Sequence, residues 1–253
     1  MNTLTHAFQR GYRHFSGCLN MEDGDIVLAS FPRSGNTWFR TLFANCLKVK
    51  SGQESTTTMI ELIDYMPVLG YSNLGKTGPD FHRPRLIKTH RLPWEIKPFR
   101  PQKTLLLWRE PVGAMKSGYR YYSANRKFET TDISSFIRDK KLGMPAWKKH
   151  YLSWEKRANV TLQYSAMRDR TAVEFSNVLE QLGYTELLPF VEKAVELASL
   201  ENMTKTEKQG IRDPERFTTD FRSIGGGDKD KTKLADSDME YIQSITKEIS
   251  INE

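Results

Sequence analysis

Apolar residues fall along this chain in two rhythms. Four short runs, Ile26-Val27-Leu28-Ala29, Leu86-Ile87, Thr104 to Trp108 and Val160 to Tyr164, are mostly aliphatic or β-branched and too short for helices. Runs that stay apolar rather than alternating predict strands covered on both faces. Between them the spacing changes to that of helices. Trp38, Phe39, Leu42, Phe43, Cys46 and Leu47 recur at i, i+1, i+4, i+5, i+8 and i+9, one face of a helix that starts near Asn36. Pro111 stands where a helix takes its first-turn proline. Trp147, Tyr151 and Trp154 mark a further helix, and Val173, Val178, Leu179 and Leu182 another that stops at Gly183. Strands alternating with helices predict an α/β fold: a single three-layer domain with a central parallel sheet flanked by helices.

Two segments stand apart from this alternation. Residues 1–24 read as an N-terminal extension in which Leu4, Phe8 and Phe15 give a weakly amphipathic helix, expected to pack on the domain rather than on lipid. Residues 202–233 are polar and charged, with Pro214 and the run Gly225-Gly226-Gly227, and read as a long mobile loop of the kind that serves function. No repeat, low-complexity tract or second domain interrupts the rest.

Composition narrows the classes without choosing among them. A length of 253 residues, 38% hydrophobic and 27% charged, suits one globular core. The net charge of +7 would suit nucleic acid, an anionic membrane or a polyanionic small ligand, but the basic residues are dispersed. Two cysteines, Cys18 and Cys46, make no disulfide framework. No apolar stretch approaches the ~20 residues of a membrane span, and the first 20 residues lack the core of a signal peptide. The expected location is cytoplasmic.

Chemistry first shows in the turn after the first strand, "SFPRSGNTW", residues 30–38. A glycine-containing turn between a strand and a helix N-terminus aims several backbone N–H groups at one point, the arrangement that binds phosphate. An ordinary strand-to-helix turn capped by Ser34 or Asn36 has the same outline. Aligned on Gly35, the nucleoside-triphosphatase pattern would need a lysine at Asn36, so a triphosphate with its magnesium is not favoured. Ligands of open α/β sheets sit at the carboxyl ends of the strands, and there the second strand delivers Lys88 and His90, the third Arg109 with Ser117 on the helix beyond, and the fourth Tyr164. A histidine so placed can take a proton while cations steady an oxyanion.

Taken together, "SFPRSGNTW", "PRLIKTHRLP", "LLLWREPVGAMKSGYRYY" and "AWKKHYLSWEKRANVTLQYSAM" resemble, in order and spacing, the soluble cytosolic-type sulfotransferases, which share a P-loop-like fold. The resemblance runs from about residue 25 to 230. It implies 3′-phosphoadenosine 5′-phosphosulfate (PAPS) as co-substrate, its desulfated product PAP, and no metal. It implies that Ser34, Gly35, Asn36 and Thr37 hold the 5′-phosphosulfate, with Arg33 in place of the family's lysine at the leaving oxygen. It puts Trp38 and Tyr164 against adenine, Arg109 and Ser117 on the 3′-phosphate, His90 as base and Lys88 as stabiliser of the transferring group. The family's closing loop R-K-G-x-x-G-D-W falls on "RSIGGGDK", which keeps Arg222 but has Ser223 for the lysine, Ile224 for a glycine and Lys229 for the tryptophan. That loop is expected to close over the nucleotide.

The reaction implied is transfer of a sulfuryl group to a hydroxyl or amine of a small-molecule acceptor, with Phe81, Tyr119, Tyr121, Tyr122, Phe128 and Met144 as candidates for the acceptor wall. Neither nucleic acid nor a membrane is an expected partner. A P-loop kinase shares the strand–turn–helix geometry and is the alternative; a basic protein that merely holds polyanions is a second.

Overall fold

The computed structural model describes residues 3–59, 61–72, 74, 84–96, 103–124, 132–209, 232–247 and 249. All four expected strands form: β1 (Ile26–Ser30), β2 (Leu86–Thr89), β3 (Lys103–Trp108) and β4 (Val160–Gln163). They pair in parallel in the order β2-β1-β3-β4, with Ala29 opposite both Thr89 and Leu106, and Trp108 opposite Gln163. Side chains alternate across a strand, and the core divides accordingly. Ile26, Leu28, Leu86, Leu105 and Leu107 face one hydrophobic cluster, while Val27, Ala29, Ile87 and Leu106 face the other.

Helices cover each face. With the first cluster pack α2 (Asn36–Lys50), α8 (Thr171–Gln181) and α9 (Val191–Leu197); with the second pack α4 (Pro111–Ala124), α6 (Met144–Glu155) and α11 (Asp236–Lys247). The layers are therefore helix, sheet, helix. Each fully buried leucine or isoleucine in β1 contributes about 1.5–3 kcal/mol of burial. Gly183, at φ 75°, ends α8 in the left-handed turn its sequence position predicts, and the Tyr184 amide donates back to Leu179 O at 2.8 Å.

Several short elements had no sequence signal: α3 (Glu61–Tyr65), α5 (Ile133–Arg138) and α7 (Tyr164–Asp169). The fourth strand ends one residue earlier than expected, at Gln163, because Tyr164 already opens α7. The segment expected as a loop, 202–233, begins as a helix instead. Residues 202–209 belong to α10 (Leu200–Gln209), whose Met203, Thr206 and Glu207 are buried; residues 210–231 lie outside the described residues.

The N-terminal helix α1 (Thr3–Leu19) forms, but it is turned the other way from expectation. Phe8, Tyr12, Phe15 and Leu19 are exposed along one side. The opposite side carries the docking contacts: Gly17 and Cys18 are buried, a Cβ on Gly17 would come within 2.9 Å of Leu69, and His14 Nε2 lies 2.7 Å from Glu95 O. Close approach of the small residues and a ring-to-backbone hydrogen bond orient the helix, against its apolar stripe. No helix among the described residues is long and apolar enough to cross a membrane.

The chain leaves β1 for β2 on one side and leaves β3 for β4 on the other. A crevice opens where such connections diverge. It lies at the carboxyl ends of β1 and β3, where the conspicuous turn and Arg109 emerge.

Candidate active site

The turn after β1 is built on two left-handed residues, Arg33 at φ 71° and Gly35 at φ 89°. Gly35 is required twice over. Besides its φ, a Cβ there would stand 2.4 Å from Cδ2 of the Tyr164 ring, which lies against the turn. Arg33 holds the same backbone region with a side chain, a strained conformation of the sort found at ligand sites. Helix α2 begins at Asn36 with Gly35 as its N-cap and no side-chain cap, so neither Ser34 nor Asn36 acts as the capping residue. The first amides of α2 have no intrahelical acceptor, and Ser34 Oγ is buried without a hydrogen-bond partner among the described residues. Free amides, an orphan hydroxyl and a helix dipole make a cradle for an anionic oxygen. The donors present suit an oxyanion such as a phosphate or phosphosulfate group.

The turn and the strand ends meet. Arg33 Nε donates to Ser117 Oγ at 3.2 Å across 84 residues of chain, and its guanidinium lies 4.7 Å from the Tyr121 ring centroid. Arg109 Nη1 reaches Arg33 O at 3.5 Å and its guanidinium sits 4.6 Å over Tyr164. Tyr164 in turn meets Trp38 edge-on with centroids 6.3 Å apart. Arg33, Ser34, Gly35, Arg109, Ser117, Trp38 and Tyr164 thus form one continuous wall. Asn36 and Thr37 follow in the first turn of α2. Arg222 and Ser223 lie outside the described residues.

On the β2 side, His90 Nδ1 lies 2.6 Å from Ser30 O. A carbonyl can only accept, so Nδ1 carries the proton and Nε2 keeps its lone pair. His90 exposes surface to solvent, yet protein crowds round it as round any group on a concave floor; the open surface governs what can touch it and the crowding governs its charge. Burial, then the neighbouring Lys88, hold the imidazole well below the ordinary histidine range, only partly offset by the Ser30 carbonyl. Lys88 is itself pushed down to about 7, first by burial, then by Arg40 and Arg33. Two neighbouring bases therefore sit beside the cradle, both with their charged forms disfavoured.

Of the candidates for an acceptor wall, Tyr121 and Tyr122 lie at the site's edge, with centroids 5.3 Å apart. Tyr119 packs on Phe136, centroids 6.0 Å apart. Met144 does not belong: it opens α6 and is fully buried in the second core cluster. Phe81 and Phe128 lie outside the described residues. Three contributors carried no sequence signal. They are the Ser30 carbonyl, Arg40, and Gly113, where a Cβ would collide with Glu110 Oε1 at 2.3 Å and Arg109 Nε at 2.8 Å. Glu110 Oε1 accepts from Arg109 Nε at 3.2 Å, so Gly113 makes the space in which that arginine is aimed.

Comparison with known proteins bears on this geometry. The sequence pattern of the sulfotransferase domain matches residues 23–250. Cytosolic sulfotransferase 7 of Arabidopsis thaliana is 27% identical over 232 residues, covering 79% of this chain and 68% of that protein. Cytosolic sulfotransferase 13 of the same plant is 27% identical over 223 residues, covering 77% and 65%. Sulfotransferase 2B1 of Homo sapiens is 28% identical over 147 residues, covering 53% and 38%. The chain thus spans about two thirds of each plant relative and well under half of the human one. Among solved structures, mouse sulfotransferase SULT7A1 complexed with PAP matches with a TM-score of 0.60 at 18% identity, over 95% of this chain and 90% of that one. Retinol dehydratase in complex with androsterone and inactive cofactor PAP matches with a TM-score of 0.62 at 14% identity, over 96% and 84%. At such identities the structural likeness speaks for the fold.

Proposed function

The chain belongs to the sulfotransferase-domain family, and from that premise we propose that it transfers the sulfuryl group of PAPS to a hydroxyl or amine of a small-molecule acceptor, with His90 as the base. One observation carries the reading. Two anion-binding segments far apart in sequence, the turn at 33–37 and the Arg109–Ser117 segment, are joined through Arg33 and Tyr164 into one wall beside an imidazole with its Nε2 lone pair free. A nucleotide charged at both its 3′ and 5′ positions suits such a wall, and a triphosphate does not need it.

In this reading the amides of residues 34–37 and Ser34 Oγ hold the 5′-phosphosulfate, Arg109 and Ser117 the 3′-phosphate, and Trp38 and Tyr164 the adenine. The co-substrate supplies an activated sulfuryl group. Nε2 of His90 takes the acceptor's proton as the acceptor oxygen or nitrogen forms its bond to sulfur. The bond from sulfur to the bridging phosphate oxygen breaks in line, and the charge that grows on that oxygen meets Arg33, Lys88 and the turn amides. Arginine stays protonated, so Arg33 neutralises the leaving oxygen without giving it a proton. The proton on His90 passes to solvent after release of the product. The cytosol is the proposed location, as the plant relatives' names suggest.

Incubation of the purified chain with PAPS and a library of small alcohols, phenols and amines tests this by mass spectrometry. Products heavier by one sulfuryl group are expected, with calorimetry showing PAP bound more tightly than adenosine 5′-phosphate. Magnesium-dependent turnover of ATP, with no sulfated product, would establish the kinase alternative instead.

A further inference from the structure

Helix α2 buries two cations on the same side, eight residues apart, and treats them differently. Lys48, far from the turn, is 1% exposed and pairs with Glu61 at 3.3 Å. Arg40, one turn into the helix, is 5% exposed and has no carboxylate partner among the described residues. Its Nη2 donates to the carbonyls of Leu62 at 3.2 Å and Met66 at 2.5 Å, and its Nε is buried with no partner. Burial of an unpaired guanidinium is expensive, and large enough to pull Arg40 down to about 10. A leucine or methionine would fill the same space at lower cost. Something other than packing retains the charge.

Of the two carbonyls that Arg40 holds, that of Leu62 lies within α3 and that of Met66 just past its end, and the chain beyond them pairs with β2. Lys88 N donates to Pro67 O, and Leu69 N donates to Lys88 O, both at 2.9 Å, so residues 67–69 form a short parallel bridge beside Lys88. Arg40 thus grips the segment that fixes the Lys88 backbone. Its charge is also felt at Lys88, as is that of Arg33 from the turn after β1, while His90 at the end of β2 feels Lys88, His150 of α6 and Arg40.

We propose that Arg40 is a positioning residue for sulfuryl transfer: through residues 62–69 it sets the place of Lys88, and it loads the floor of the site with a positive charge that is balanced when the phosphosulfate anion binds. The inference rests on the functional reading above. Its consequence is that nucleotide binding is coupled to proton uptake. With Arg33 and Arg40 beside it, Lys88 is partly neutral in the free protein near pH 7; a bound polyanion favours the ammonium form, and the proton comes from solvent.

Lysine labelled with carbon-13 at Cε makes the test, the Lys88 signal being identified by its loss in Lys88→Met. In the wild type the signal titrates near 7 and moves to higher pH when PAP is added. Arg40→Gln, which can still donate to the Leu62 and Met66 carbonyls, raises the free-protein titration by roughly half a unit or more through loss of one like charge. The falling limb of kcat/KM against pH moves up with it. Arg40→Lys keeps the charge and leaves both where they are, and it decides the matter if Arg40→Gln does not fold. A Lys88 titration near the ordinary lysine value, no shift in Arg40→Gln, or an Arg40→Lys limb displaced upward overturns the proposal. So does a uniform loss of rate at every pH, the mark of a purely structural role. Failure of the wild type to bind PAP or form any sulfated product would instead overturn the functional reading, and the titration would still report on Arg40.

Discussion

His90 and Lys88 stand two residues apart at one strand end, and the proposed reaction asks them for opposite charge states: the imidazole neutral to take a proton, the amine charged to receive one end of a breaking bond. Burial and mutual repulsion keep the histidine available far below its ordinary value, so no acidic limb is expected in the pH–rate profile near 6.5. Lys88 gives the opposite limb. Because kcat/KM reports the free enzyme, it should fall as pH rises above about 7, where Lys88 loses its proton, while the fall in kcat lies at higher pH because a bound anion restores that proton. Initial rates between pH 5.5 and 9.5 check both limbs. His90→Ala should lose turnover by about 10²-fold or more with PAP binding little changed; undiminished turnover would mean that another group is the base. The motif made His90 and Lys88 legible as candidates. It could not show which ring nitrogen is free, because that depends on the carbonyl of Ser30, sixty residues away.

Among elements, the turn after β1 and the helix α1 differ in how far their sequences determine them. The turn is local. Its glycine, its strand and its helix are covalent neighbours, and their order is enough to predict an anion cradle. What the order does not contain is the ring of Tyr164 lying where a side chain on Gly35 would go. Gly35→Ala should therefore weaken PAP binding by tenfold or more, adding a left-handed alanine, at about 1–2 kcal/mol, to a displaced tyrosine; calorimetry measures it. In α1 the apolar spacing shows which residues share a face and is silent on which face meets the body. Gly17 and Cys18 win because they let the helix approach closely, and Phe8, Tyr12, Phe15 and Leu19 are left outside. Replacing Phe8 and Phe15 together by serine should leave the unfolding free energy within about 0.5 kcal/mol of wild type, whereas Gly17→Leu, forced against Leu69 and Leu74, should lower it clearly, as denaturant titration measures.

For the molecule as a whole, the buried bases link folding to pH. Lys88 takes up its proton near 7 when folded and near its ordinary 10.5 when unfolded, so between those values the unfolded chain binds more protons. Its contribution to stability then rises with pH through that window and is least below 7. His150, held down to about 3 by burial beside Phe31, acts the same way between pH 3 and 6.5. Thermal midpoints should accordingly climb from acid toward pH 9 once referenced to variants: Lys88→Met flattens the upper part of the climb and His150→Phe the acid part. A profile for Lys88→Met parallel to the wild type above pH 7 would show that the amine titrates normally.

Sequence alone determined the strands, four of the helices that flank them (α2, α4, α6 and α8), the glycine turn after β1 and the family, because strand and helix periods, glycine turns and motif spacing are properties of residues near one another along the chain. Tertiary structure decided the rest. Arg33 on Ser117, Arg109 over Tyr164, the Ser30 carbonyl on His90 and Arg40 on the Leu62 and Met66 carbonyls join residues from separate elements. Their meeting depends on strand order and on which side chains could be buried together, quantities fixed only when both faces of the sheet are covered at once.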